Sequence, residues 1–380
     1  MHTPQNFKIN GIAYTTTSAY TVEVTSEGLY EGDIKIPHSI IYESETYTVT
    51  SIGEHAFKDC KGLNSISLPN SVCSIEEWAF SDCINLKDIC IPNSVTNIGR
   101  YAFSSCENLS ALTIPYSVTS IGSGAFECCC NLINISVNRL NPSFKTRGGV
   151  LFNKTLTTLV AFPTSKISNN YVIPNSVIRI GESAFSGCAN LNTVTIPDSV
   201  KYIDDDAFNG CSDLTNITIA DSVISIGQMA FCECEKLSAF VIPKSVKTIE
   251  ESAFINCKSL NTINIPESVT RIVSTLFYGC DKLTNINVSK LNPCYCSIDG
   301  VLFDKNLETL ITFPAGKVER NYVILDTVKI IGHGAFYGCK KLKTVIIPDS
   351  VKYIEDYAFD SCLNLTKISN SNSVIMRISI

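Results

Sequence analysis

The sequence predicts a repeat solenoid that is mainly β, with short helical or 3-10 turns and an N-terminal β cap. Three observations predict this fold: a fixed period, strand-like alternation within each period, and two long insertions that resemble each other. The period is marked by a phenylalanine that usually follows alanine and precedes a cysteine by three residues, at Phe57, Phe80, Phe103, Phe126, Phe185, Phe208, Phe231, Phe254, Phe277, Phe336 and Phe359. Within each run the step is 23 residues, and both long gaps measure 59 residues, which is 23 plus an insertion of 36.

Residues 1–48 precede the regular repeats and are predicted to form the cap. They contain the strand-like stretches YTVEVT and DIKIPHSIIYE. A β-rich segment here would shield the edge of the first coil. We expect the solenoid itself to occupy residues 49–380.

One 23-residue unit, residues 191–213, reads LNTVTIPDSVKYIDDDAFNGCSD. Its first part alternates apolar and polar residues and is rich in β-branched side chains, which predicts a short strand that ends at Pro197. Residues 200–203 form a second extended piece, and Ala-Phe-x-x-Cys predicts a helical or 3-10 turn. Such a lap cannot bury its apolar side alone, so neighbouring laps are expected to stack over one core.

The two insertions are predicted to be irregular modules at residues 132–167 and 283–318. Their sequences GVLFNKTLTTLVAF and GVLFDKNLETLITF indicate hairpins with turns at Asn153-Lys154 and Asp304-Lys305. Irregularities in a repeat array are frequent places for function. Asn153, Lys154, Asp304 and Lys305 are therefore candidate binding residues.

Cysteine spacing predicts a structural role for eleven of the eighteen cysteines. In stacked coils they would form a column of small buried thiols: Cys60, Cys83, Cys106, Cys129, Cys188, Cys211, Cys234, Cys257, Cys280, Cys339 and Cys362. Disulfides are disfavoured because in-register Cβ vectors run parallel. The extra cysteines in FECCCN, FCECEK and PCYCS lack the spacing of a zinc site and are expected to face solvent, so we predict no metal.

Composition and motifs argue against several function classes. The net charge is -6, without a basic run, which argues against nucleic-acid binding. No apolar stretch reaches the length of a membrane span. The four histidines do not accompany a nucleophile, and the acidic Asp204-Asp205-Asp206 recurs as a solvated corner that is typical of solubility more than of calcium binding. We predict no enzyme activity and no cofactor.

Outward positions of the first strand in each lap offer a shared surface for a partner. The central outward position holds mostly small polar residues, and Thr195, Thr218, Asn264 and Asn287 are candidate binding residues. The alternative is a ladder chosen only for strand propensity and solubility. Trp78, Tyr101 and Tyr357 lie at corners, where they would act as caps over the core edge or as anchors for a partner.

The pattern Leu-x-x-Ile-x-Ile-Pro-x-Ser-Val-x-x-Ile-Gly-x-x-Ala-Phe-x-x-Cys resembles the BspA-like class of leucine-rich repeats. The stretch LKDICIPNSVTNIGRYAFSSCEN (86–108) fits it at nearly every position. The resemblance implies a protein of bacterial or protozoan cell surfaces, secreted or displayed, that adheres to host matrix proteins or other cells. The alternative is a structural spacer or self-assembling surface element without a specific ligand.

The two chain ends bear on location and assembly. The first residues, MHTPQNFKINGIAYTTT, lack the cationic and apolar segments of a secretion signal, which leaves a cytoplasmic protein or one whose leader was removed. After Leu365 the pattern stops in an incomplete coil. We expect this coil to be frayed, truncated or covered by self-association.

Overall fold

The computed structural model describes residues 3–166 and 170–370. The chain divides into two compact units: unit 1 comprises Met1–Ile167 and Ile180–Cys188, and unit 2 comprises Ser168–Arg179 and Ala189–Ile380. Both units are β-solenoids with a period of roughly 23 residues and about fifteen turns in total, so the predicted fold is confirmed. Helix is nearly absent, and among the described residues it is confined to a 3-10 turn at Ser274–Phe277.

Six strands precede the first Ala-Phe corner: β1 (Asn6–Ile9), β2 (Ile12–Thr16), β3 (Thr21–Thr25), β4 (Gly32–Lys35), β5 (Ser39–Tyr42) and β6 (Glu45–Ile52). β1, β2 and β3 form an antiparallel meander, β3 pairs in parallel with β6, and β5 pairs with β6 as a hairpin. β6 continues past residue 48, and its Ser51 and Ile52 pair with Ser74 and Ile75 of the next lap. The N-terminal strands therefore merge with the repeats without a break.

Each regular lap contributes a first strand at Leu-x-x-Ile-x-Ile and a shorter second strand. In unit 1 these are β7 (Leu63–Ser67), β8 (Ser74–Ile75), β9 (Asp88–Ile89), β10 (Asn97–Ile98), β11 (Ala111–Ile114), β12 (Ser120–Ile121) and β13 (Asn134–Val137). The module that follows adds β14 (Phe144–Arg147), β15 (Val150–Asn153) and β16 (Thr158–Ala161).

The later laps repeat this arrangement. Their strands are β17 (Asn170–Val172), β18 (Arg179–Ile180), β19 (Thr193–Ile196), β20 (Tyr202–Ile203), β21 (Asn216–Ile219), β22 (Ser225–Ile226), β23 (Ala239–Val241), β24 (Thr248–Ile249), β25 (Thr262–Ile265) and β26 (Asn285–Val288). The second module and the last laps add β27 (Tyr295–Ile298), β28 (Val301–Asp304), β29 (Thr309–Thr312), β30 (Asn321–Val323), β31 (Ile330–Ile331), β32 (Thr344–Ile347), β33 (Tyr353–Ile354) and β34 (Lys367–Asn370). Equivalent strands pair in parallel one period apart, as Thr195 does with Thr218.

The repeated phenylalanines stack inside the coil. In unit 1 the ring centroids of Phe57 and Phe80 lie 5.2 Å apart with planes 5° from parallel. In unit 2 the rings of Phe208 and Phe231 lie 5.2 Å apart at 4°. Because each ring meets the same ring of the next lap, one residue type satisfies the same packing site in every lap.

The Ala-Phe corner is a tight turn because two of its residues adopt left-handed backbone conformations. In the first corner these are His55 with a φ of 57° and Asp59 with a φ of 60°. Residues with positive φ interrupt a right-handed helix. The corner instead bonds to the next lap, since the N–H of Phe57 donates to the carbonyl of Ala79 at 2.8 Å.

Each module is a three-stranded antiparallel meander. The hairpins β15–β16 and β28–β29 lie where the sequence predicts them, and an additional strand, β14 or β27, precedes each. Each module also contains a phenylalanine that joins the internal stack, because Phe162 lies 5.0 Å from Phe185 and Phe313 lies 5.2 Å from Phe336. The module limits 132–167 and 283–318 stay a prediction, and residue 167 lies outside the described residues.

Candidate functional site

The column cysteines act as hydrogen-bond donors inside the coil. Ten of the eleven are buried and Cys362 is half-buried. The Sγ of Cys83 lies 3.1 Å from the carbonyl oxygen of Phe57 in the preceding lap, and that oxygen also accepts the N–H of Cys60 at 3.1 Å. The same contact recurs in unit 2, where Sγ of Cys280 lies 3.1 Å from the carbonyl of Phe254. These thiols therefore fill a position that serves both packing and hydrogen bonding in successive laps.

Burial also suppresses ionisation of most of these thiols, whereas the hydrogen bond with Cys339 lowers the pKa of the half-buried Cys362. Removal from water disfavours the thiolate, and it raises the pKa of Cys280 to about 12. The pKa of Cys106 is raised well above its ordinary value for the same reason. Among the additional cysteines, the prediction of a solvent-facing position is wrong for Cys232, which is 3% exposed, because its side chain is covered at the corner.

Chemistry-bearing side chains are dispersed over the described residues. No group of three or more His, Cys, Asp or Glu side chains converges there as a metal site would require. Asp204 of the acidic corner pairs with Arg179 at 2.5 Å, and Asp205 accepts the N–H of Gln228 at 2.7 Å. Within residues 3–166 and 170–370, no helix has the length and apolar character of a membrane span.

The corner aromatics of unit 1 form a stack of their own. Trp78 lies 4.3 Å from Tyr101 and 6.4 Å from His55, measured between ring centroids. Lys58 and Arg100 lie over the rings of Trp78 and Tyr101 at 4.9 and 5.3 Å. The ring faces are thus used within the protein, which favours the role of caps over the core edge.

The four hairpin-turn residues have partners inside their own modules. Asn153 Oδ1 accepts two main-chain N–H groups, from the residues four and five positions later, at 2.9 and 3.0 Å. Asp304 Oδ1 does the same at 2.7 and 2.9 Å. The ammonium groups of Lys154 and Lys305 donate to the main-chain carbonyl of the asparagine thirteen residues earlier. These contacts give all four side chains a structural role, and their contact with a partner stays a prediction.

Sequence reasoning missed that buried asparagine, Asn141 in one module and Asn292 in the other. Both are 0% exposed. The amide of Asn141 donates to the carbonyls of Pro115 and Val118 at 2.8 Å each, while its Oδ1 accepts two N–H groups at 2.8 and 2.7 Å. The signal was present as Leu-Asn-Pro at equivalent positions of both modules.

The outward central positions of the first strands in unit 2 define a row, here called the outer column, which runs over two three-stranded sheets, β17-β19-β21 and β23-β25-β26. Its members before the second module are Val172, Thr195, Thr218, Val241, Asn264 and Asn287, and all six are exposed. The predicted Thr195, Thr218, Asn264 and Asn287 therefore lie on one surface. Val172 was missed because residues 168–173 read Ser-Asn-Asn-Tyr-Val-Ile, which departs from the Leu-x-x-Ile-x-Ile pattern of the other first strands.

A depression of about 570 Å³ lies on the outer column between β23 and β26. It is lined by Asp221, Val241, Ile242, Lys244, Asn264, Ile265, Pro266, Glu267, Asn287, Val288 and Ser289. Buried Ile242 and Ile265 contribute to its base, whereas Val241 is 71% exposed. Asn287 donates from Nδ2 to Asn264 Oδ1 at 3.0 Å. An apolar centre with a polar rim is the usual anatomy of a protein interface.

A second depression, of about 550 Å³, lies further along the same column. Its lining residues are Asn175, Ile196, Pro197, Asp198, Ser199, Thr218 and Ala220. Both depressions are shallow surface features. The arrangement suits contact with a macromolecular surface more than enclosure of a small molecule.

Comparison with known families decides the identity of the repeat. The family model described as the BspA type leucine rich repeat region matches in six copies, over residues 36–155, 159–310 and 315–378. The chain belongs to the BspA-type leucine-rich repeat family. The resemblance stated from the sequence is therefore confirmed.

Solved structures show the same fold. The BspA-type chain is similar to the pneumococcal vaccine antigen PcpA, with 19% identity, a TM-score of 0.57, and coverage of 98% of this chain and 99% of that chain. It is also similar to a leucine-rich repeat protein from Eubacterium ventriosum, with 22% identity, a TM-score of 0.54, and coverage of 99% and 97%. No curated protein matches the chain significantly.

Proposed function

We propose that this BspA-type protein is a non-catalytic binding solenoid whose outer column in unit 2 contacts a protein partner. The depression at Val241 carries the proposal, because an exposed valine lies there above buried isoleucines and inside a polar rim. Protein interfaces commonly bury an apolar centre of this kind while the surrounding rim stays polar. Leucine-rich repeat proteins generally mediate protein interactions, which supports the same class of function.

The finer part of the proposal is adhesion at the cell surface, to host matrix proteins or to other cells. Family membership supports it, and so does the similarity to a pneumococcal antigen. The outer column itself is nearly uncharged, so affinity would depend mainly on shape and hydrogen bonds, with a contribution from the charged residues at the rim of the depression.

The charged rim of the depression sets which partner surface fits. Asp221 and Glu267 flank the single Lys244, and Asp221 Oδ1 accepts the main-chain N–H of Lys244 at 3.1 Å. A partner with an apolar side chain at the centre and a basic or amide side chain beside it would satisfy this surface.

The test is a pair of substitutions with a matched control in the other unit. Val241→Lys and Asn264→Lys together place two charges on the depression, whereas Thr113→Lys places one at the equivalent exposed position of unit 1. Binding is measured on immobilised fibronectin, laminin and collagen and on intact epithelial cells. For each surface that the wild type binds, we expect the double variant to lose at least about tenfold in affinity and the control to bind as the wild type does.

Two outcomes of this test would contradict the proposal. Unchanged binding by the double variant would remove the outer column as the site. A wild type that binds none of the four surfaces would favour the alternative of a structural spacer or self-assembling element. Equal melting temperatures of the three proteins establish that folding is intact.

The module hairpins are a second, separate part of the proposed site. Asn153, Lys154, Asp304 and Lys305 remain candidates for partner contact beside their structural role. In Lys154→Met and Lys305→Met, loss of binding at unchanged melting temperature would support contact with the partner. Loss of binding together with a lower melting temperature would assign these lysines to module stability alone.

A further inference from the structure

Among the described residues, the outer edge of the first-strand sheet in unit 1 has no paired strand. The second-strand ladder of unit 1 is extended by the meander, in the order β1-β2-β3-β6-β8-β10-β12. The first-strand sheet has the order β4-β7-β9, so β4 is its outermost strand. An exposed strand edge presents main-chain groups that can pair with another chain.

The free main-chain groups on β4 can be assigned from its pairing. The N–H groups of Gly32 and Ile36 donate towards β7, to Gly62 at 2.8 Å and to Ser67 at 3.0 Å. In a strand, alternate residues direct their N–H and C=O groups to opposite sides. Asp33 and Lys35 therefore direct theirs away from β7, and within the described part of the chain no strand pairs with that side of β4.

A groove of about 780 Å³ runs beside this edge. Its apolar walls include Ile9, Ile12, Leu29, Ile34, Pro37 and Ile41. Leu29 and Ile41 are each 70% exposed, although both are large apolar side chains. An open strand edge beside an apolar wall is the arrangement used in strand addition, where main-chain bonds give affinity and alternate side chains fill the wall.

Charge at the groove selects among extended segments. Glu31, just before β4, and Asp33 and Lys35 of β4 line the groove, so acidic groups exceed basic ones there. Asp33 accepts a hydrogen bond from Ser65 at 2.7 Å through Oδ1, which leaves Oδ2 for a partner. A lysine or arginine in an added strand would lie next to this carboxylate.

We propose that the groove beside β4 binds an extended segment of another protein, added as a further strand to the β4-β7-β9 sheet. The segment carries apolar residues at alternate positions, which contact the wall at Leu29 and Ile41, and a basic residue beside Asp33. This site belongs to unit 1 and is separate from the outer column in unit 2.

The test uses a set of labelled eight-residue peptides in which Val, Ile, Leu or Phe alternates with Ser and one Ser is replaced by Arg. Fluorescence anisotropy with the full chain should show saturable binding for at least one peptide. N-methylation of alternate peptide amides should abolish it, because the main-chain donors are lost.

Matched variants locate the site. Leu29→Asn should weaken binding at least about fivefold, whereas Leu140→Asn, at a leucine that is 74% exposed in the same unit, should leave it unchanged. Asp33→Asn should weaken binding of the Arg peptide and leave its Ser counterpart unaffected, which a merely structural effect of the substitution would not do.

Three results would overturn the proposal. The first is no saturable binding by any peptide up to about 1 mM, where even a weak site would bind. The others are unchanged affinity of the N-methylated peptide for the wild type, and unchanged affinity of the unmodified peptide for Leu29→Asn. A dimer in sedimentation that dissociates in Leu29→Asn would show that a second copy fills the groove, and would also refute the assignment to another protein.

Discussion

At the scale of single residues, the repeated cysteine is a donor as well as a small apolar side chain. The sequence predicts a buried column from spacing alone, because a residue that recurs every 23 positions meets itself in the next lap. It does not show that column thiols after Cys60 approach the carbonyl of the phenylalanine 26 residues earlier, as Cys106 does with Phe80 at 3.2 Å. That contact depends on the left-handed turn between them.

Buried thiols make the stability of the protein sensitive to alkaline pH. The folded state raises the pKa of Cys106 well above the unfolded value of about 8.5. Stability is therefore complete below about pH 8.5 and falls as pH rises, because the unfolded chain releases a proton that the folded chain retains. In Cys106→Ala, the decline of the unfolding free energy between pH 9 and 11 should be shallower by up to about 1.4 kcal/mol per pH unit.

Urea unfolding at several pH values measures this slope. Cys73→Ala is the control, because Cys73 is exposed and should leave the slope as in the wild type. A Cys106→Ala slope equal to that of the wild type would contradict the buried, protonated thiol.

The buried asparagine of each module is predicted to dominate module stability. In Asn141→Ala two carbonyls and two N–H groups lose their partners inside the protein, so unfolding free energy should fall by about 3 kcal/mol or more. Asn131→Ala should cost less than about 1 kcal/mol, since Asn131 is exposed. Chemical denaturation measures the unfolding free energy of both variants. Equal decreases would show that Asn141 contributes no more to module stability than an exposed asparagine.

At the scale of elements, the strands were predictable and the corners were only partly so. Alternation of β-branched residues marks β19 and its equivalents, and Pro197 marks their end. The corner was expected to be a helical or 3-10 turn, but residues with positive φ interrupt it. The second of these lies two positions after the phenylalanine and is Asp59 in one lap and Gly210 in another. Gly, Asp and Asn at one periodic position were a signal for positive φ.

These corners allow a matched pair of backbone substitutions. Glu233 has a φ of 58° and Gly338 has a φ of 69° at the same position of two laps in unit 2. Glu233→Gly should raise the unfolding free energy by up to about 1 kcal/mol, and Gly338→Ala should lower it by about 1 kcal/mol, because left-handed backbone penalises a side chain. An added Cβ at Gly338 meets no atom within 4 Å, so packing does not confound the comparison.

Thermal and urea unfolding of both variants show directly whether each substitution raises or lowers the unfolding free energy. A destabilised Glu233→Gly variant would mean that the glutamate side chain contributes more than the backbone costs. An unaffected Gly338→Ala variant would mean that the corner relaxes without strain.

At the scale of the whole molecule, the period and the duplicated modules could be predicted from the sequence, because residues that repeat along the chain occupy equivalent positions in successive laps. The features that the sequence did not predict lie in laps that depart from the repeat pattern. Phe162 and Phe313 join the phenylalanine stack although the cysteine three residues later is missing. Val172 joins the outer column although its strand departs from the Leu-x-x-Ile-x-Ile pattern. The depressions depend on side-chain directions of several laps together, which no single repeat reveals.

The claim that supports all of these interpretations is that periodic residues lie inside the coil and variable ones lie outside. Site-resolved alkylation of the native protein with iodoacetamide, read by mass spectrometry, tests it most directly. We expect Cys73, Cys90 and Cys130 to react promptly, since their side chains are exposed. The eleven buried cysteines, which are the ten buried members of the column and Cys232, should react only after denaturation. Prompt labelling of column cysteines such as Cys106 and Cys257 in native buffer would contradict the account.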